Sequence, residues 1–168
     1  QHTITGTIEA CENSTGNVYA AIASNVSSYN WIVSGGATIS GGNGMDSILV
    51  DWGATGGTIC VTAENNCNLS PQECISVSIN SQPDITATDP APGCAPDPFD
   101  LTTIMITNNG GGIGLITYYD NVTDALNGTN DLLPPTTNTS GTYYIRMQTG
   151  PECFDIDSAE VVIEDPML

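Results

Sequence analysis

The sequence reads as an all-β chain of two tandem antiparallel β-sandwiches stapled by disulfides. Apolar and polar residues alternate at period 2, and glycine or asparagine turns interrupt the alternation roughly every 8–12 residues. Six cysteines, an even number, stand in a chain with almost nothing to activate a thiolate. At 168 residues the chain is too long for one sandwich of about 100 residues and suits two smaller ones.

The elements follow in order. Residues 3–10 form an opening strand, Asn13 to Gly16 turn it, and residues 18–24 return. The central stretch, residues 29–67, is the most regular part. Tyr29, Trp31 and Val33 alternate, Gly35-Gly36 break the strand, and Ala37 and Ile39 resume it. After the glycine turn at 41–44, Ile48, Val50 and Trp52 make a third set, and beyond Gly56-Gly57 come Ile59, Val61 and Ala63. Ile75, Val77 and Ile79 close a set of about seven strands, enough for one sandwich. No helix-period segment competes with them.

Asn80-Ser81-Gln82-Pro83 is the expected boundary, giving domains 1–81 and 82–168. A proline-rich passage, residues 89–98, should be extended and stiff. Strands resume at 99–106 and 115–120, residues 121–139 read as irregular, and 141–148 with 156–163 form a closing hairpin. Glu164-Asp165-Pro166 echoes the link after residue 80, so a third module is expected to follow.

Nineteen acidic residues against one Arg and no Lys leave a net charge of −18. That excludes a nucleic-acid or anionic-membrane partner, since both need clustered cations. No apolar run is long enough to span a membrane and no leader pattern is present; the start at Gln1 suggests a processed protein or a segment of a longer one. Zinc would need tight Cys/His clusters, which the cysteine spacing lacks, so disulfides and an oxidising, extracellular compartment are expected. No catalytic site is read. His2 is the only histidine, and among nineteen acids some carboxylate pair is always near.

The ordered motifs Tyr29-x-Trp31, Gly35-Gly36-Ala37-Thr38-Ile39, Gly42-x-Gly44, Ile48-x-Val50-x-Trp52-Gly53 and Gly57-x-Ile59-x-Val61-x-Ala63-x-Asn65-x-Cys67 resemble the PKD-like, Ig-like sandwich of Bacteroidetes surface proteins. The resemblance runs from about Thr3 to Ile79. Residues 94–102 and 140–153 resemble, more loosely, the Ig-like repeats of long adhesins. It implies a repeat segment of a gliding-type, type IX-exported adhesin, whose partners are neighbouring modules of the same chain or fibre.

Ig-type topology places the first turn beside the start of the sixth strand, which suggests Cys11–Cys60, Cys67–Cys74 and, by remainder, Cys94–Cys153. No protein cofactor is expected, with calcium the one candidate, on Asp84, Asp89, Asp97 and Asp100 or on the pair Asp155 and Asp157; a solvated acidic face is the plain alternative. Trp52, Tyr119 and Tyr144 are candidates for an exposed surface that binds polysaccharide, while Trp31 reads as core. Asp46-Ser47-Ile48 and Asp157-Ser158-Ala159 resemble the O-glycosylation signal of Bacteroidetes, marking Ser47 and Ser158. The function expected is a non-enzymatic segment of an extracellular adhesin or fibre that spaces and presents a binding region. An accessory module of a secreted enzyme, binding carbohydrate or protein, and a filament subunit exchanging strands are the alternatives.

Overall fold

In the computed structural model, residues 3–167 are described, so His2 lies outside the described residues. The chain divides into two compact units, Gln1–Ser81 with Gly150–Cys153, and Gln82–Thr149 with Phe154–Leu168.

The first unit holds β1 (Thr3–Thr5), β2 (Glu9–Cys11), β3 (Asn17–Ile22), β4 (Ser28–Val33), β5 (Ala37–Gly41), β6 (Ser47–Trp52), β7 (Gly57–Glu64) and β8 (Glu73–Asn80). Two four-stranded sheets form, in the orders β1-β3-β6-β5 and β2-β8-β7-β4. Inward residues at period 2, including Tyr19, Trp31, Ile48, Val50, Trp52, Ile59, Val61 and Val77, meet in one core. The buried indoles keep hydrogen-bond partners: Trp31 Nε1 donates to the Met45 carbonyl at 2.8 Å, and Trp52 Nε1 to the Tyr19 hydroxyl at 3.2 Å. Glycine is required where backbones touch; a Cβ on Gly57 would lie 2.0 Å from the Ser34 carbonyl oxygen.

The opening strand differs from the expected single run. It breaks at Gly6 (φ 150°), so β1 pairs antiparallel with β3 while β2 pairs parallel with β8. This crossing places Cys11 opposite Asn80, at the end of β8.

The second unit holds β9 (Ile85–Thr88), β10 (Gly93–Cys94), β11 (Phe99–Asp100), a 3-10 turn (Leu101–Thr103), β12 (Met105–Asn108), β13 (Leu115–Tyr119), α1 (Val122–Asn127), β14 (Thr136–Thr137), β15 (Gly141–Gly150), β16 (Cys153–Val161) and β17 (Ile163–Glu164). β13-β15-β16 form a sheet, β9 pairs with β12, β11 with β14, and β10 runs parallel to β17. Leu101, Tyr118, Ile145 and Val161 lie in the core. β16 and β9 are joined through side chains. Asp155 and Asp157 accept the backbone N–H groups of Ile85 and Ala87 at 2.7 and 2.8 Å, and Asp89 accepts that of Glu160 at 2.8 Å.

Helix α1 stands where an irregular segment was expected. Its six residues are too few to show a period, but its ends are marked. The Asn121 side chain accepts the Asp124 N–H, and Gly128 follows in the left-handed conformation (φ 64°).

The expected disulfides are corrected. The bonds are Cys11–Cys153 and Cys60–Cys74, and Cys67 and Cys94 are free thiols. Cys60 and Cys74 face each other directly across β7 and β8, with Cα atoms 4.1 Å apart. Cys11 lies beside Asn80, six residues along β8 from Cys74, so about 20 Å of strand separates it from Cys60. Cys94 neighbours Glu164, beyond the end of β16, while Cys153 begins that strand. A nine-residue strand spans about 30 Å, and a disulfide needs Cα atoms within about 7 Å.

Candidate functional site

The Cys11–Cys153 bond ties the end of β2 to the start of β16. β2 supplies Cys11, 7% exposed, and the Glu12 N–H beyond it donates to the Asn80 carbonyl at 2.9 Å. β15 and β16 are long strands joined by Pro151 and Glu152 alone, with Glu152 at φ 57°. This turn carries residues 150–153 back to the first unit, where Cys153 is fully buried. Its sulfur, which has no hydrogen to donate, rests against the carbonyl oxygens of Asn80 and Ser81 at 3.5 and 3.4 Å. Gly150 makes room for this approach, because a Cβ there would stand 2.1 Å from Asn80 Nδ2. The Asn80 amide in turn donates to Glu9 at 3.4 Å.

The bond joins residues 142 apart in sequence. Tension entering before Cys11 and leaving after Cys153 therefore crosses one sulfur–sulfur bond and bypasses everything between. Residues 12–152 could unfold without lengthening that path.

The other candidate residues are dispersed. Trp52 and Tyr119, expected at an exposed binding face, are 3% and 2% exposed. Trp52 shares the inward set of Ile48 and Val50, and Tyr119 lies in β13, against which α1 packs. Tyr144 is partly exposed and lines a groove of about 280 Å³ with Val122, Leu126, Ile156, Asp157 and Ser158. The expected calcium ligands do not converge. Asp100 caps the 3-10 turn through the Thr102 N–H, Asp89 holds Glu160, and Asp155 and Asp157 hold β9. Among the described residues no group of three or more His, Cys, Asp or Glu side chains is placed to hold a metal ion. Ser47 opens β6 with its hydroxyl 3.3 Å from Asp46 Oδ1, and the Ser158 N–H donates to Asp157 at 2.8 Å.

Charge is distributed unevenly. Arg146, the only Lys or Arg of the chain, is buried beneath α1. Its Nη1 donates to the helix-end carbonyls of Ala125 and Leu126 at 2.9 and 3.0 Å, Nη2 to Gln148, and its guanidinium lies 3.5 Å over the Phe154 ring. Burial raises the Tyr19 and Tyr118 phenols above their ordinary pKa, and for Tyr118 the charge of Asp100 adds to it. Hydrogen bonds from Asn121, Asn130 and Thr129 hold Asp124 below the usual carboxylate range. Among the described residues no helix is long and apolar enough to cross a membrane.

Residues 84–167, half of the chain, match the family model of the Flavobacterium inter-domain disulphide bond domain. The chain belongs to this family. Residues 1–77 match the PKD-like domain, in agreement with the motifs of the central stretch. Both are domain types without catalytic activity of their own, and they fit a structural extracellular module. No curated protein matches the chain. Among solved structures, similarity extends to the insect immune protein hemolin, at 11% identity over 96% of this chain and 46% of hemolin, with a TM-score of 0.45. A chimeric titin Z1Z2 gives 13% identity over 97% of this chain and 96% of that one, with a TM-score of 0.36. Mouse cadherin-23 EC22-24 gives 13% identity over 99% of this chain and 67% of its own, also at 0.36. The chain spans less than half the length of hemolin.

Proposed function

We propose that this chain is a tension-bearing, non-enzymatic segment of an extracellular bacterial adhesin or surface fibre, holding a binding region away from the cell. The Cys11–Cys153 bond carries the reading, because it gives tension a covalent route past residues 12–152. The rest of the molecule agrees with it. Two disulfides suit an oxidising compartment, and the only fixed side-chain cation is buried, so the surface is acidic and self-repelling. Export by the type IX route and movement in gliding belong to the same proposal, as do O-glycans on Ser47 and Ser158, which would appear as excess intact mass.

Single-molecule pulling between the two ends tests it. Twenty-seven residues lie outside the bond, eleven up to Cys11 and sixteen from Cys153, and they extend to about 95 Å. Adding a reductant before pulling should release the remaining residues as further unfolding steps totalling roughly 480 Å. Equal extension with and without reductant would overturn the proposal.

A further inference from the structure

The Cys60–Cys74 bond has no part in the tension path. Cys11–Cys153 already bypasses residues 12–152, and Cys60 and Cys74 both lie inside that span. The settings of the two bonds are also opposite. Ile59, Val61 and Val77 are buried in the core, so strand alternation turns Cys60 and Cys74 to the outer face of the sheet β2-β8-β7-β4. Cys74 is exposed and Cys60 half-buried, whereas Cys11 and Cys153 are 7% and 0% exposed.

The backbone holds the two sulfurs together without the bond. Cys60 and Cys74 stand directly opposite each other in an antiparallel ladder that runs from the pair Gly57 and Val77 to the pair Val61 and Glu73. Beyond it the hairpin is closed again by the bridge between Glu64 and Leu69. On β4 the residue opposite Cys60 is Ile32, 50% exposed. The next outward positions are Thr58 and Ser76 on one side and Asn30 and Thr62 on the other, none of them charged. Exposed disulfides are the labile ones, since a thiolate reaches them in the folded state, while a buried bond must wait for the fold to open.

We propose that Cys60–Cys74 is a reversible thiol-exchange site on the face of the first unit, opened by small aminothiols without unfolding. A thiolate attacks the exposed Cys74 sulfur and bonds to it as the Cys60–Cys74 bond breaks. Cys60 leaves as a thiolate and takes a proton from water. A second thiolate attacks the outer sulfur of the mixed disulfide, forms a low-molecular-weight disulfide and releases Cys74 as a thiolate, which is protonated in turn. Two small thiols are thereby oxidised and one protein disulfide is reduced. The low-molecular-weight disulfide runs the same steps backwards, and the ladder keeps Cys60 and Cys74 opposite each other for it. Charge sets the class of thiol. The chain carries nineteen acids, and its only Lys or Arg is buried beneath α1. An anionic thiol approaches against that field, while an ammonium group on the thiol offsets the repulsion. The proposal is independent of the tension reading, which depends on Cys11–Cys153 alone.

Reduction of the intact chain, with Cys67 and Cys94 first blocked by alkylation, tests it. Cysteamine and mercaptoethanesulfonate are the probes, each rate being divided by that of the same thiol on an uncharged small disulfide. Samples quenched with a second alkylating reagent are mapped by peptide mass. Cys60–Cys74 should open at least about a hundredfold faster than Cys11–Cys153, with the circular dichroism of the folded chain retained. The mixed disulfide should be found on Cys74 and the second alkyl label on Cys60. At low salt cysteamine should lead by at least about threefold, and the gap should close as salt is added. The bond joins residues 14 apart, and opening it should lower the melting temperature of the first unit by roughly 10–20 °C, with cystamine restoring the parent value. Both bonds opening together as the fold is lost, a mixed disulfide on Cys60, or equal rates for the two probes at low salt would each overturn the proposal.

Discussion

Replacing Asp155 with alanine should destabilise the second unit out of proportion to the loss of one surface charge. Its carboxylate accepts the Ile85 N–H at 2.7 Å, and Ile85 is only 5% exposed, so water cannot readily take over that donor. Loss of a hydrogen bond to a charged acceptor, with a nearly buried N–H left unpaired, costs about 1–3 kcal/mol. Asp157→Ala should act the same way through Ala87, at the lower end because Ala87 is half-buried. In a unit of this size each kcal/mol lowers the melting temperature by roughly 4–8 °C. Two controls separate this from charge. Asp155→Asn keeps an acceptor oxygen and should lose less than half as much, while Asp97→Ala removes an exposed carboxylate and should change stability by under about 0.5 kcal/mol. Urea unfolding in moderate salt reads all four variants. If Asp155→Asn proved as damaging as Asp155→Ala, or the alanine variant stayed within about 0.5 kcal/mol of the parent, the carboxylate would not be the acceptor that closes this edge. The double alanine variant also bears on strand exchange. With two β9 donors released, size-exclusion chromatography should show new dimers if the edge can recruit a strand.

Three further outcomes are expected. Gly150→Ala drives a Cβ to 2.1 Å from Asn80 Nδ2, so it should cost about 1–3 kcal/mol and speed reduction of Cys11–Cys153 by dithiothreitol, with Asn80→Ala in the same chain restoring most of the loss. Arg146→Met removes the donors to the Ala125 and Leu126 carbonyls and the stack on Phe154, and should cost about 2–3 kcal/mol in urea unfolding, with Lys recovering less than half because it lacks the planar fork. The raised Tyr19 and Tyr118 phenols favour the neutral form in the fold, so their stabilisation is complete below about pH 10 and is lost as pH rises through their folded-state values; ultraviolet titration should show two late tyrosines, which Tyr19→Phe and Tyr118→Phe remove one at a time.

The first unit was legible because each central strand buries one face. Ile48, Val50 and Trp52, then Ile59, Val61 and Ala63, lie inward in the structure as their spacing requires. The same alternation placed Trp52 inside, which outweighs its appeal as an exposed aromatic. Tyr119 is different. Its strand has a second cover, α1, whose existence is marked only by Asn121 and Gly128 at its ends. The disulfides were least legible, since strand periodicity says which face a residue takes and nothing about which distant strand it meets. One local signal existed: Gly6, inside an otherwise alternating run, marks the point where the opening strand leaves one sheet for the other. Only after that crossing does Cys11 stand beside Asn80.

Charge and covalent linkage answer one physical problem together. With nineteen acids and its one arginine beneath a helix, a module offers no fixed side-chain cation to its neighbour. Each pair of like charges about 10 Å apart repels by roughly 0.4 kcal/mol in unscreened water, and several such pairs would offset much of a small apolar contact. Salt screens this repulsion over about 8 Å, so a non-covalent joint between such surfaces would tighten and loosen with the ionic strength of the medium. A disulfide does not. On the proposed reading, a covalent link such as Cys11–Cys153 persists in dilute media while the same charge keeps separate fibres apart.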